Sequence, residues 1–171
     1  MVGSALTVKV APGDNLALHQ AMEFISPGEV LVVDAGGAID RAIAGEILCR
    51  LARHRGAVGM VIDGAVRDTA AMGDLAFSLF GRASSHLGPY KNGPGELRGP
   101  VSAGGTVVRG GDIVIGDCDG VVVVPLPRAE AVVAAAEAKA EDERQTLASI
   151  EAGTYRADWL AAAVELTWLP A

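Results

Sequence analysis

The stretch GEILCRLARHRGAVGMVIDGAVRD, residues 45–68, decides how the chain is read. Ile47, Leu48, Leu51 and Ala52 recur at helical spacing, while Arg50, Arg53, His54 and Arg55 fall on the opposite side. That is the pattern of an amphipathic helix, and Gly56 is its natural stop. AVGMVID is then a short apolar run containing β-branched residues, and the Asp63-Gly64 pair after it is a strong turn signal. The stretch therefore predicts a helix running into a buried strand, with a tight turn that presents Arg67 and Asp68. In open α/β sheets ligands bind beyond the carboxyl ends of strands, and a helix N-terminus offers unpaired N–H groups to an anion. Both features meet here.

Working outward toward the N-terminus, residues 5–11 alternate as a strand, and Pro12-Gly13-Asp14-Asn15 turns the chain into a helix from about Leu16 to Ile25. Ser26-Pro27-Gly28-Glu29 is a turn, and VLVVDA is nearly all apolar, as a strand covered on both faces would be. The segment from Asp34 to Asp40 has two readings. A strand ending in an acid and glycines opens some nucleotide sites, but G-x-G-x-x-G is incomplete here, and a glycine-permitted loop beside a neighbouring site fits as well.

Toward the C-terminus, Thr69 to Asp74 reads as a short helix capped by Asp68, and LAFSLFGR as another strand. Residues 81–100 are rich in Gly, Pro, Ser and Asn and form a long loop, with Ser84, Ser85, His86, Tyr90 and Lys91 as polar candidates for ligand contact. A surface or subunit-contact loop is the alternative. Residues 101–125 contain VSAGGTVVR, DIVIG and GVVVVP, which predict a compact β-meander. Asp117 and Asp119 between them match turn chemistry better than a calcium loop. Pro127 and Arg128 open an Ala-rich helix to about Ala152, whose Glu141, Asp142, Glu143 and Arg144 give a polar side. The last residues, with both tryptophans, predict a short amphipathic helix that docks on this chain or on a partner.

At 171 residues the chain suits one domain with a core built from Ala, Val, Ile and Leu, because half its residues are hydrophobic and only 4% aromatic. A net charge of −7 argues against nucleic acid and anionic membrane as bulk electrostatic partners, while leaving local basic clusters possible. No secretory signal or spanning segment stands out, so a cytoplasmic protein is expected. Cys49 and Cys118 have neither zinc nor disulfide spacing and read as buried or idle thiols.

Twenty residues, 47 to 66, separate Glu46 from the Arg67-Asp68 pair. That spacing, with VIDGAVRD around the pair, resembles the RraA-like family, which includes class II pyruvate aldolases acting on 4-hydroxy-4-methyl-2-oxoglutarate and proteins named as inhibitors of ribonuclease E. PGDN, PGEVLVVDAGG, GPYKNGPGE and GDCDGVVVVP are similar to family blocks as well. The resemblance implies a swivelling β/β/α-type α/β fold, with residues 1–171 as one domain lacking the mostly helical segment the family carries ahead of its first strand. It implies homotrimers or dimers of trimers. It further implies that a pyruvate carboxylate meets the backbone of Gly45, Glu46, Ile47 and Leu48, and that Arg67 hydrogen-bonds the C2 oxygen. Asp68 would hold a divalent ion, magnesium or manganese, whose waters Glu46 organises, and an acid of a neighbouring subunit's C-terminal helix, Glu143 by position, would approach those waters. The implied activities are cleavage of 4-hydroxy-2-oxo acids to pyruvate and decarboxylation of oxaloacetate. The alternative is a non-catalytic regulator of ribonuclease E.

Overall fold

The computed structural model describes residues 1–162 and 167. Its elements run β1 (Val2–Val10), α1 (Leu16–Ala21), β2 (Glu29–Asp34), β3 (Ala42–Ala44), α2 (Glu46–His54), β4 (Gly59–Val66), β5 (Ser78–Ser84), β6 (Gly95–Leu97), β7 (Val101–Ala103), β8 (Thr106–Val108), β9 (Ile113–Gly116), β10 (Val121–Val124) and α3 (Ala129–Glu151). Met1–Ala129 forms one compact unit, and Glu130–Ala171 a second that is described by itself.

In the first unit the strands make a mixed sheet in the order β10-β9-β1-β2-β4-β3, with β5 also paired to β4 and β6 to β1. β1, β2, β3 and β5 join their neighbours β2 and β4 in parallel, whereas β6 and β9 run antiparallel to β1. β2 is central because alternate residues bury on opposite faces. Leu31 and Val33 pack with Leu18, Met22, Leu48, Cys49 and Ala52 from the helical side. Val30 and Val32 pack with Val101 and Val108 of the β7-β8 hairpin on the other side. Each such fully buried aliphatic side chain contributes roughly 1.5–3 kcal/mol. Hairpin, sheet and helices thus make the layered α/β architecture expected from the sequence.

Several local expectations are corrected. The Asp63-Gly64 pair does not end the strand; it lies inside β4, which runs on to Val66. Asp63 is buried and its carboxylate takes the Arg82 guanidinium and the Gly104 N–H, tying β4 to β5 and to the hairpin turn. Gly64 is there for space, since a Cβ would stand 2.9 Å from the Ala35 Cβ and 3.1 Å from the Ala38 carbonyl oxygen. The predicted loop from 81 to 100 is shorter, because β5 extends to Ser84 and β6 pairs with β1. LAFSLFGR starts late as a strand, its Ala76 sitting in a left-handed turn. The meander is also divided: VSAGGTVVR folds on itself at Gly104-Gly105 into a separate two-stranded sheet, while β9 and β10 extend the main one.

The Asp117-Asp119 segment is a turn, with the Asp119 N–H donating to the Asp117 carboxylate at 2.9 Å. In the second unit α3 spans 23 residues without a buried side chain, and Val133, Leu147 and Ile150 are exposed. Asp158–Ala162 is a single 3-10 turn carrying the exposed Trp159. The rest of the expected terminal helix, with Trp168, lies outside the described residues. Among the described residues no helix is long and apolar enough to cross a membrane.

Candidate active site

The site grows from a strand that the sequence reading missed. β3, only three residues long, runs parallel to the end of β4 and leads through Gly45 straight into α2. Its carboxyl end and that of β4 therefore lie side by side, and the Arg67 N–H donates to the Ala44 carbonyl at 2.9 Å. This brings the first turn of α2 onto the Arg67-Asp68 pair.

Gly45 makes the approach possible. Its φ of −155° is ordinary extended backbone, so the need for glycine is spatial. A Cβ there would lie 2.5 Å from the Asp68 Oδ2, 2.7 Å from the Arg67 Cγ and 3.1 Å from its Nε. The close approach lets Asp68 Oδ2 accept the Glu46 N–H at 3.1 Å. Asp68 was expected to cap the turn that follows it; instead it has a left-handed φ of 57° and makes no side-chain cap there. A non-glycine residue in that region is sparsely populated and concentrates at functional sites. Arg67 Nε stands 3.6 Å from the same Asp68 oxygen.

The first N–H groups of a helix have no partner within it. With that of Glu46 taken by Asp68, those of Ile47 and Leu48 have no acceptor among the described residues. Gly45, Ile47 and Leu48 border a cavity of about 80 Å³ together with Arg67, Asn15, His19 and Lys91. Such a space takes a small group rather than a large cofactor. On its other side Arg67 joins Asp68, Ser84, Ser85 and His86 along an open groove. The loop that carries these residues is stitched down by Ala42 N–H to the Leu87 carbonyl, Tyr90 N–H to Gly13 and Asn15 N–H to Tyr90. Asp14 anchors it further. Burial raises the Asp14 pKa, but the N–H groups of Leu16, Asn92 and Gly93 and the charge of Lys91 outweigh that and hold it below the ordinary range.

Not every predicted residue points where the sequence suggested. Gly45, Glu46, Ile47, Leu48, Arg67 and Asp68 are neighbours, yet the Glu46 carboxylate is turned along α2 onto Arg50 at 2.7 Å. Ile47, which helical spacing places on the packing face, is instead 77% exposed beside the cavity, whereas Cys49 is buried as expected. Tyr90 stacks beneath Arg41, 4.0 Å from ring centroid to guanidinium carbon. Glu143 lies on α3 in the second unit, exposed and 3.6 Å from Lys139 one turn earlier. Asn15 and His19 went unrecognised, since PGDN reads locally as a turn and only the long-range return of residues 85–94 makes it a cavity wall.

A family model described as RraA-like, Aldolase/RraA, matches residues 1–123. The chain belongs to the RraA-like family. It is 44% identical over 143 residues to a putative 4-hydroxy-4-methyl-2-oxoglutarate aldolase of Halalkalibacterium halodurans, covering 84% of this chain and 68% of that one. It is 35% identical over 114 residues to the 4-hydroxy-4-methyl-2-oxoglutarate aldolase of Thermus thermophilus, covering 67% of this chain and 70% of the other. Among solved structures it is similar to a Streptomyces coelicolor protein described as an unusual member of the RNase ES inhibitor RraA family. There the TM-score is 0.77 at 30% identity, over 85% of this chain and 76% of that chain.

Placing an acid beside α2 has a measurable chemical consequence. Burial, and then the Asp68 carboxylate, push the Cys49 thiol up to about 11, so it is protonated and inert at neutral pH. Titration with an aromatic disulfide at pH 8 should label the exposed Cys118 alone in the folded protein, and Cys49 as well only in denaturant. Rapid native labelling of both thiols would contradict the burial of α2.

Proposed function

We propose that this protein is a lyase, a divalent-metal-dependent class II aldolase that cleaves 4-hydroxy-4-methyl-2-oxoglutarate-type 2-oxo acids to pyruvate and also decarboxylates oxaloacetate. The observation that carries this reading is the junction at Gly45, where unpaired helix N–H groups stand beside an Arg and a carboxylate. Relatives 35–44% identical that bear the aldolase name support it.

The carboxylate of the pyruvate half is taken by the α2 start between Gly45 and Leu48, chiefly by the N–H groups of Ile47 and Leu48. Arg67 donates to the C2 oxygen. As the 4-hydroxyl gives up its proton to water and C4 becomes a carbonyl, the C3–C4 bond breaks, its electron pair moves into the C2–C3 enolate, and Arg67 stabilises the negative charge that collects on oxygen. Protonation at C3 then gives pyruvate. Loss of carbon dioxide from oxaloacetate leaves the same enolate, so one site serves both reactions.

Asp68 suits magnesium or manganese. Its carboxylate is 45% exposed, and Oδ1 has no hydrogen-bond donor among the described residues. Asp117, Cys118 and Asp119 form the one group of three or more acid, His or Cys ligands among the described residues, so Asp68 belongs to none. A lone hard carboxylate with room for water is how magnesium is commonly held. A divalent ion held there would supply Lewis-acid polarisation of the 2-oxo group. With an ion bound, Glu46 would orient its waters once the carboxylate swings away from Arg50, and Glu143 of a neighbouring copy would approach them in a homotrimer or dimer of trimers. Exposed Phe24, Val133, Leu147 and Ile150 support such assembly. The protein works in the cytoplasm, on a small 2-oxo acid rather than nucleic acid or membrane.

A coupled pyruvate assay with oxaloacetate, run with magnesium or manganese and then with a chelator, tests the activity. Arg67→Ala should lower kcat by about 100-fold, the scale of losing one oxyanion donor, with metal affinity unchanged, whereas Asp68→Asn should weaken the metal. Absence of any metal-dependent rate would favour the other reading, a protein-binding regulator of ribonuclease E, which the likeness to an RNase ES inhibitor family member supports. Glu143 has its own test. Mixed Glu143→Gln and Arg67→Ala proteins should recover activity after subunit exchange, and no recovery would remove Glu143 from a neighbour's site.

A further inference from the structure

Breaking the C3–C4 bond of a 4-hydroxy-2-oxo acid needs a group that takes the 4-hydroxyl proton, whereas loss of carbon dioxide from an ionised 4-carboxylate needs none. The Gly45 junction offers no free base for that step. Arg67 has only donors, Asp68 accepts the Glu46 N–H and is the ligand assigned to the ion, and the Glu46 carboxylate lies on Arg50.

The open groove on the other side of Arg67 supplies one. Val66 of β4 and Ser84 of β5 are in register, and the Ser85 N–H donates to the Val66 carbonyl at 3.0 Å, so the pairing runs one residue past the strand. Ser85 and His86 therefore leave the carboxyl end of β5 alongside Arg67 and Asp68 leaving that of β4, at about the 5 Å spacing of paired strands. Together with Ser84 they line a space of about 390 Å³, against about 80 Å³ for the cavity at the start of α2. Arg67 borders both. A 2-oxo acid end held in the smaller cavity thus leaves C4 and its hydroxyl to the groove.

His86 is fixed through its chain neighbours and left free at its ring. Ser85 Oγ donates to the Asp40 carbonyl at 2.7 Å and accepts the Leu87 N–H at 3.3 Å, and the Leu87 carbonyl accepts the Ala42 N–H at 2.9 Å. The imidazole is exposed and joins no ion pair among the described residues. Arg67 and Asp68 are the charged groups that share the groove, and they face each other at 3.6 Å. Serine hydroxyls are poor bases, so the neutral imidazole is the one unengaged proton acceptor among the five lining residues.

We propose that His86 is the final acceptor of the 4-hydroxyl proton, which reaches it through the water that first receives it. The O–H electron pair forms the C4 carbonyl while the C3–C4 pair enters the enolate, and the proton bonds to an imidazole nitrogen. The imidazolium then releases it to solvent in the open groove, and C3 of the enolate takes a proton from water. This inference rests on the aldolase reading, in which α2 and Arg67 hold the 2-oxo acid end.

The test compares His86→Gln with the wild type, magnesium present, in cleavage of 4-hydroxy-4-methyl-2-oxoglutarate and in decarboxylation of oxaloacetate. His86 is exposed, so the variant should fold. Its kcat for cleavage should fall by about 100-fold, the lower end of what a positioned base contributes. Decarboxylation, KM for the hydroxy acid and calorimetric pyruvate affinity should be nearly unchanged. Unaltered cleavage, an equal fall in both reactions or a loss confined to KM overturns the proposal while the aldolase reading stands. Absence of metal-dependent pyruvate formation from either substrate by the wild type overturns both.

Discussion

The site depends on one close approach, the start of α2 against the end of β4. Gly45 has no side chain where a Cβ would lie 2.5 Å from one Asp68 oxygen and 2.7 Å from an Arg67 carbon. Because both obstacles are side-chain atoms, a larger residue there would displace the two groups rather than unravel the sheet. The tightness is thus a constraint of the site more than of the fold. It is met by a three-residue strand, β3, that occupies the edge of β4 beyond its pairing with β2 and delivers the chain to Gly45.

Charge is arranged around the same point. Asp68 satisfies the first helix N–H and sits beside Arg67, while the next two N–H groups face a cavity whose remaining charged side chain is Lys91. Asp14 helps to hold that wall in place with three backbone N–H bonds, one from its own turn and two from the returning loop. An acidic protein can in this way offer a locally positive pocket to a small anion, which bulk composition alone would not reveal.

Much of this was legible in the sequence. Helical spacing located α2 within one residue of its start, and the apolar run VLVVD located the central strand. The proximity of Gly45 and Glu46 to Arg67 and Asp68 followed from the twenty-residue spacing and the family resemblance. What escaped were features set by tertiary contact. Asp63-Gly64 has the composition of a turn, but Asp63 is paired to Arg82 and Gly64 is pressed against Ala35, so the strand continues through both. β3 is too short to show a period of its own. Asn15 and His19 became cavity residues only through a loop some seventy positions later in the chain.

The most direct test of the account is pyruvate affinity in Gly45→Ala, measured by calorimetry alongside the protein's thermal midpoint. The extended backbone at Gly45 accepts alanine without strain, so the protein should fold. The added methyl should push Arg67 and Asp68 off the helix start and weaken pyruvate by about tenfold or more. A folded Gly45→Ala protein that binds pyruvate as tightly as the wild type would contradict the claim that this junction is where the substrate is held.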